Sequence, residues 1–239
     1  MNLLNIEKVS EVILDNKKHI IVRLDGHHFS KHGFTKPFDN DFEKAMIKTA
    51  KDVFKRFGAY TAFTQSDEIT LFIPSLWNED DKKEWVHIFG GRVQKIVSLT
   101  AAFATMCFNG HYPGINAYFD SRAYSCPDNS YVIESFSSRV NSCDTNYKTM
   151  YVRAHCSHKE VQGLPTEDML KLAYEKTGSI YSEHKHSCGT FIKNSLYTKE
   201  SIHGEVSRRK IITFSSDYNY KSILLSKLIE NGIHYYGGT

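Results

Sequence analysis

Apolar positions along this chain switch between a period of two and a period near 3.6, and the switches mark its elements. Ile20-Ile21-Val22-Arg23-Leu24 is rich in β-branched residues and stops at Asp25-Gly26, which predicts a strand ending in a turn. Phe42, Ala45, Met46, Thr49, Ala50, Val53, Phe54 and Phe57 recur at three- and four-residue steps, with Lys44, Lys48, Lys51 and Lys55 on the other side. That spacing predicts an amphipathic helix over 41–57, with an N-cap within 39–41 and Gly58 as its stop. Residues 60–64 and 69–73 are strand-like runs around Gln65-Ser66-Asp67-Glu68, so a hairpin is expected, with Pro74 at its exit.

Further on, a helical pattern covers 82–108, and Gly90-Gly91 is expected to bend or break it. Residues 116–124 read as a strand. A helix over 132–155 would bury Phe136, Val140, Cys143, Tyr147, Met150 and Tyr151. Another helix spans 165–178, strand-like pieces lie at 189–192 and 210–214, and a last helix is expected over 218–230. A short helix is expected ahead of the first strand. Strands and helices are interspersed irregularly, which predicts an α+β fold, a sheet covered by helices.

Composition narrows the class without naming the chemistry. The chain has 239 residues, 41% apolar and 24% charged, and its 15 Phe and 14 Tyr exclude a disordered protein. A formal charge of +3 permits a nucleic-acid partner without demanding one. Met1-Asn2-Leu3-Leu4 leads straight into charged residues, and the most apolar stretch, 99–108, is too short to cross a bilayer. A soluble, cytoplasmic protein with no membrane partner is therefore expected. Five irregularly spaced Cys read as reduced thiols. His155-Cys156-Ser157-His158 and His184-Lys185-His186-Ser187-Cys188 lack a standard zinc spacing. Ser207-Arg208-Arg209-Lys210 reads as a solvated strand entry more readily than as an RNA contact.

The candidate chemistry lies in two acids. Asp25 closes a buried strand and Asp67 sits at a hairpin turn, so neighbouring strands would bring both carboxylates to one sheet edge. Divalent ions held against phosphate need oxygen ligands of this kind, and Mg²⁺ takes one or two carboxylates plus phosphate and water. Gly26-His27-His28-Phe29-Ser30-Lys31 offers backbone N–H groups and basic side chains, a triphosphate cradle. The bland alternative is an ordinary Asp-Gly turn and an ordinary hairpin tip.

Ile21-Val22-Arg23-Leu24-Asp25-Gly26-His27-His28-Phe29, Phe34-Thr35-Lys36-Pro37-Phe38-Asp39 and Gln65-Ser66-Asp67-Glu68 resemble three motifs of the tRNA-His guanylyltransferase family, including its Thg1-like branch of tRNA 5′-end repair enzymes. Gly91-Arg92-Val93-Gln94-Lys95 is similar to the family's R-x-x-K, and Phe119-Asp120-Ser121-Arg122 to its F-D-G-R. The resemblance covers roughly 19–122 and thins afterwards. It implies a polymerase-palm-like antiparallel sheet as a catalytic core over 1–130, with a helical and β extension over 131–239 packed on it. It also implies 3′-to-5′ nucleotide addition at a tRNA 5′ end, with GTP and ATP as partners, two Mg²⁺ ions as cofactors and a homotetrameric assembly. Carried over by position, Asp25, Asp67 and the backbone of Gly26 hold metal, and Glu68 tunes them as part of the catalytic set. Gly26, His27, His28, Phe29, Ser30 and Ser66 hold triphosphate together with the two metal-binding acids, while Lys36, Asp39, Arg92 and Lys95 match positions of triphosphate handling. For those last four, an exposed helix face and a simple N-cap remain equal readings.

One departure bears on specificity. Members that add guanosine strictly to tRNA-His carry H-I-N-N on the helix after F-D-G-R. Here Arg139 and Asn146 fit that RNA-binding helix, but the His and one Asn are absent from 135–147. General 5′-end addition is favoured over strict guanylylation. Within enzymes the rivals are a palm-type cyclase or 5′-to-3′ polymerase, and outside them a tRNA-binding protein without chemistry.

Overall fold

The computed structural model describes residues 11–77, 85–181, 189–202, 204–217 and 219–230. One sheet joins strands from both halves of the chain: β1 (His19–Gly26), β2 (Thr61–Gln65), β3 (Glu68–Ile73), β4 (Phe119–Cys126), β5 (Thr190–Ser201), β6 (Gly204–Ser215) and the short β7 (Leu228–Ile229). Their order is β4-β1-β3-β2-β5-β6, with β7 parallel to β5 and every other pair antiparallel.

Helices cover both faces of the centre. Ile20, Val22 and Leu24 pack in one cluster with Met46, Ala50 and Phe54 of α1 (Asn40–Phe57) and with Ile96, Ala104 and Phe108 of α2 (Val93–His111). Ile21, Phe63 and Phe72 pack on the opposite side with Val132 and Phe136 of α3 (Asn129–His155). A strand buried on both faces loses the polar alternation of a half-exposed one, which is why 20–24 reads as a nearly unbroken apolar run. Beyond the sheet, α4 (His158–Val161) precedes α5 (Thr166–Thr177), which packs on the end of α3 through Ala173, Tyr151 and Val152.

The predicted helices over 41–57, 132–155 and 165–178 are present, and their ends follow their caps. Asp39 accepts from the N–H groups of Asp41 and Phe42 at the start of α1, and Gly58 closes it in the left-handed region at φ 65°. Other expectations need correction. The long helix over 82–108 begins only at Val93, because Phe89, Gly90 and Gly91 all adopt positive φ in a 3₁₀ turn. It then continues to His111. The strand over 116–124 is displaced to Phe119–Cys126, and the pieces at 189–192 and 210–214 are parts of two twelve-residue strands. No helix forms over 219–230. Tyr220–Ser222 is a 3₁₀ turn and Leu228–Ile229 a strand. The buried Lys193 ammonium explains this, since it donates to the carbonyls of Leu224 (3.3 Å) and Ser226 (2.6 Å), and Thr61 Oγ1 also donates to Leu224 O. Of the stretch ahead of β1 where a short helix is expected, residues 11–18 form none and 1–10 lie outside the described residues, as do His184, His186 and Cys188. Among the described residues no helix is long and apolar enough to cross a membrane.

Candidate active site

The end of β1 and the β2–β3 turn meet at one edge of the sheet. The Gly26 N–H donates to Asp67 O at 3.0 Å, and Asp25 stands directly opposite Glu68 of β3. On its other flank Asp25 stands opposite Asp120 of β4. Directly opposed residues of antiparallel strands project on the same face, so Asp120, Asp25 and Glu68 lie abreast on the side that α3 covers. Asp67 follows Ser66, which takes a left-handed φ of 48° in the two-residue turn.

Crowding of acids shows in their electrostatics. Burial pushes the Asp67 carboxyl up to about 6, and the charges of Asp25 and Glu68 add to that push. Glu68 is neutralised by a largely buried cation, whereas Asp120 has an exposed one in Arg122 at 3.6 Å. Glu68 Oε2 accepts from Arg139 Nη1 at 3.1 Å and its Oε1 from Thr70 Oγ1 at 3.2 Å. Arg139 also donates to Ser138 and Ser142, so the structure sets it against Glu68 and its own helix. Asn146, the other residue matched to RNA binding, is exposed on α3 and lines an open polar groove of about 510 Å³ with Ser138, Asn141 and Ser142.

The loop after Asp25 is built around an aromatic plug. Phe29 is buried among the rings of Phe34, Phe42, Phe108 and Phe119, and a Cβ on Gly26 would run into the Phe29 ring. Glycine is thus required at 26 by packing. His28 adopts a left-handed φ of 56° and opens a 3₁₀ turn, Phe29–Lys31. Its imidazole titrates below the ordinary value because of the neighbouring charges of His27 and Lys31. Ser30 and Lys31 are exposed beside it.

The remaining predicted residues divide. Lys36 is exposed, and Asp39 lies at the start of α1. The oxygens of Asp39 serve the chain itself, accepting from Asp41, Phe42 and Thr35 N–H groups at 3.0, 2.9 and 3.1 Å. Burial opposes ionisation there, but those N–H groups outweigh it and hold the carboxyl below its usual range. Arg92 and Lys95 open α2, set back along the sheet from Asp25. Thr100 bonds Ser121, the Phe119 N–H donates to Thr105, and Asn109 bonds Ala117, so α2 runs antiparallel to β4. Its first turn therefore lies back along the sheet from that edge, where Arg92 pairs with Glu11 at 3.5 Å.

The family model described as Thg1, tRNAHis guanylyltransferase, matches residues 3–143. The chain belongs to the Thg1 family. That makes it a nucleotidyltransferase of the tRNA guanylyltransferase type. Similarity extends past the matched segment. A bacterial Thg1-like protein solved with ATP is 28% identical and superposes with a TM-score of 0.73, covering 86% of this chain and 90% of that one. The bacterial protein solved with GTP is also 28% identical, with a TM-score of 0.70 over 87% and 88%. The tRNA(His) guanylyltransferase of Saccharomyces cerevisiae shares the fold at 18% identity, with a TM-score of 0.66 over 88% and 97%. An uncharacterised protein of Acanthamoeba polyphaga mimivirus is 28% identical over 91% of this chain and 84% of that protein.

In this Thg1-family chain, sequence reasoning missed two features. Tyr118 stacks on His27, with ring centroids 4.7 Å apart, and nothing in the linear pattern around it signals that contact. The Arg139–Glu68 pair did leave a signal. Arg139 falls on the inward stripe of α3 between Phe136 and Cys143, and a cation on an apolar stripe demands an acid opposite.

Proposed function

We propose that this chain adds nucleotides in the 3′-to-5′ direction to the 5′ end of a tRNA, as a two-metal phosphoryl transferase. The observation that carries the reading is the meeting of Asp25 and the Asp67 turn at one sheet edge. The fit to magnesium rests on charge. Asp67 titrates near 6 through burial and the repulsion of Asp25 and Glu68, a negative excess that a hard divalent cation relieves. Among the described residues no three acidic, His or Cys side chains converge as a ready-made cage. That suits Mg²⁺, which keeps water and phosphate among its ligands. Asp25, Asp67 and the Gly26 carbonyl would hold it. When bound it supplies charge neutralisation at the phosphates and acidifies the attacking hydroxyl.

The chain's own groups would then do the positioning. The loop from Gly26 to Ser30, with Ser66, holds the triphosphate through the backbone N–H groups of His28 to Ser30, and Lys36 adds charge from the exposed loop. The N–H groups of Gly26 and His27 are taken by Asp67 O and Tyr118 O. A tRNA 5′-phosphate oxygen attacks the α-phosphorus of ATP or GTP and pyrophosphate leaves. The 3′-hydroxyl of the incoming nucleotide then attacks the activated 5′ phosphorus, and the nucleoside monophosphate leaves. Structures of bacterial Thg1-like relatives with ATP and with GTP support this pairing of partners. The missing H-I-N-N elements around Arg139 favour general 5′-end addition over strict guanylylation of tRNA-His.

The test is incubation of labelled GTP and ATP with a 5′-truncated tRNA, with and without magnesium. Magnesium-dependent lengthening of the RNA is expected, lost by about a thousandfold or more in Asp25→Ala and Asp67→Ala with circular dichroism unchanged. Conversion of GTP without lengthening would move the chain to the cyclases. Homotetrameric assembly and cytoplasmic location are part of the same reading, the first checked by light scattering.

A further inference from the structure

The Asp25 edge carries an exposed aromatic side chain, Tyr118, to which none of the expected roles is assigned. Tyr118 immediately precedes β4, the outermost strand beside β1, and its ring is 52% exposed. It is stacked on His27 with centroids 4.7 Å apart and planes at 24°. The backbone beneath is tied down twice. The His27 N–H donates to Tyr118 O at 2.9 Å, and Asn109 of α2 grips the preceding residue, accepting from Ala117 N (3.1 Å) and donating to Ala117 O (2.8 Å). A large exposed aromatic on so constrained a backbone loses little freedom when something packs on it.

Register fixes where this surface faces. Gly26 pairs with Phe119, which sets Tyr118 opposite His27 and Asp120 opposite Asp25. Alternation then puts Asp25, His27, Asp120 and Tyr118 on one face, with the aromatic pair about 7 Å along the strands from the acids. His27 has one ring face against Tyr118 and meets His28 edge-on at 3.9 Å. The open flank of the stack is therefore that of Tyr118, off the free edge of β4.

We propose that Tyr118, backed by His27, is a stacking platform for the terminal base of the RNA end that receives the nucleotide. The assignment rests on the reading of this edge as a 5′-end nucleotidyltransferase site. The choice of RNA base over nucleotide base follows from the two sides of the stack. The loop proposed for triphosphate, Gly26 to Ser30, lies on the His27 side, whereas Tyr118 opens beside an edge strand with no described strand paired beyond it. Base-on-aromatic stacking tolerates any base, which suits addition that is not confined to one tRNA.

The experiment uses a 5′-truncated tRNA carrying 2-aminopurine as its 5′-terminal nucleotide, with the full chain and its Tyr118→Ala, Tyr118→Phe and Tyr124→Ala variants. Stacking quenches 2-aminopurine, so wild type and Tyr118→Phe should quench it on binding. Tyr118→Ala should restore the fluorescence and raise the RNA KM about tenfold or more, with the KM for GTP within about twofold. Tyr124, exposed on the same row at the other end of β4, serves as the control, and its variant should match wild type. Quenching and RNA KM unchanged in Tyr118→Ala, or a GTP KM that rises in place of the RNA KM, overturns the platform while leaving the proposed reaction standing. Tyr118-dependent quenching by a wild-type chain that never lengthens RNA has the opposite meaning: the platform stands and the reaction is wrong.

Discussion

Arg139 of α3 reaches across to Glu68 of β3 with 3.1 Å between Nη1 and Oε2, and the two side chains are only 22% and 9% exposed. Of the acids at this edge, Glu68 thus has a built-in counterion, and Asp25 and Asp67 are left to share their excess charge. Removing one partner strands a desolvated charge. Arg139→Met should therefore cost about 2–4 kcal/mol in chemical denaturation, and the double variant with Glu68→Gln should recover part of that loss. Additive losses would mean that the two residues do not act as a pair.

Asp67 should make the metal-free protein less stable as it ionises. Its carboxyl is raised from 3.8 to about 6, so between those pH values the folded chain binds more proton than the unfolded one. The contribution to stability is largest below pH 4 and falls as pH rises through 6. Urea midpoints in a chelating buffer should show this slope in wild type and lose it in Asp67→Asn. At pH 8 that variant should be the more stable protein. Magnesium should raise the wild-type midpoint there and leave the variant's unchanged.

Gly26→Ala should damage function more than fold. The added methyl collides with Phe29, whose displacement disturbs the whole loop that follows Asp25. Overpacking of this kind costs about 1–3 kcal/mol. Nucleotide addition should fall by at least an order of magnitude, read as turnover at saturating RNA, while the melting transition stays cooperative.

Lys193 predicts a second pH dependence of opposite sign. It is fully buried, its four hydrogen-bond partners are neutral oxygens of Tyr60, Thr61, Leu224 and Ser226, and burial pushes its ammonium down to about 7. From pH 7 to 10.5 the unfolded chain holds the extra proton, so stability should rise with pH across that window and be flat below it. Lys193→Met should abolish the rise. It should also loosen residues 219–229, seen as faster amide exchange there.

Much of this architecture was legible because local chemistry and packing agree. Asp39 and Gly58 bracket α1 as caps, and Ser66-Asp67 sits between two strand-like runs that do pair. The failures came from long-range partners. Tyr220, Ile223, Leu224 and Leu228 have a helix-compatible spacing, yet Lys193, some thirty residues earlier in the chain, takes the carbonyl oxygens that a helix needs. Likewise the motif around Arg92 identified a family, but nothing in its residues told where along the sheet it would lie. That depended on the direction of α2 relative to β4.

That direction has a consequence for reach. Thr100 stands level with Ser121 and hence with Leu24, so at helical rise the first turn of α2 lies roughly 10–15 Å along the sheet from the acids of β1. An extended triphosphate together with a long Arg or Lys side chain can bridge such a gap. A phosphate gripped by Arg92 or Lys95 would be drawn out along the sheet, away from the reacting end. The molecule would then measure its substrate along the sheet as well as at the edge.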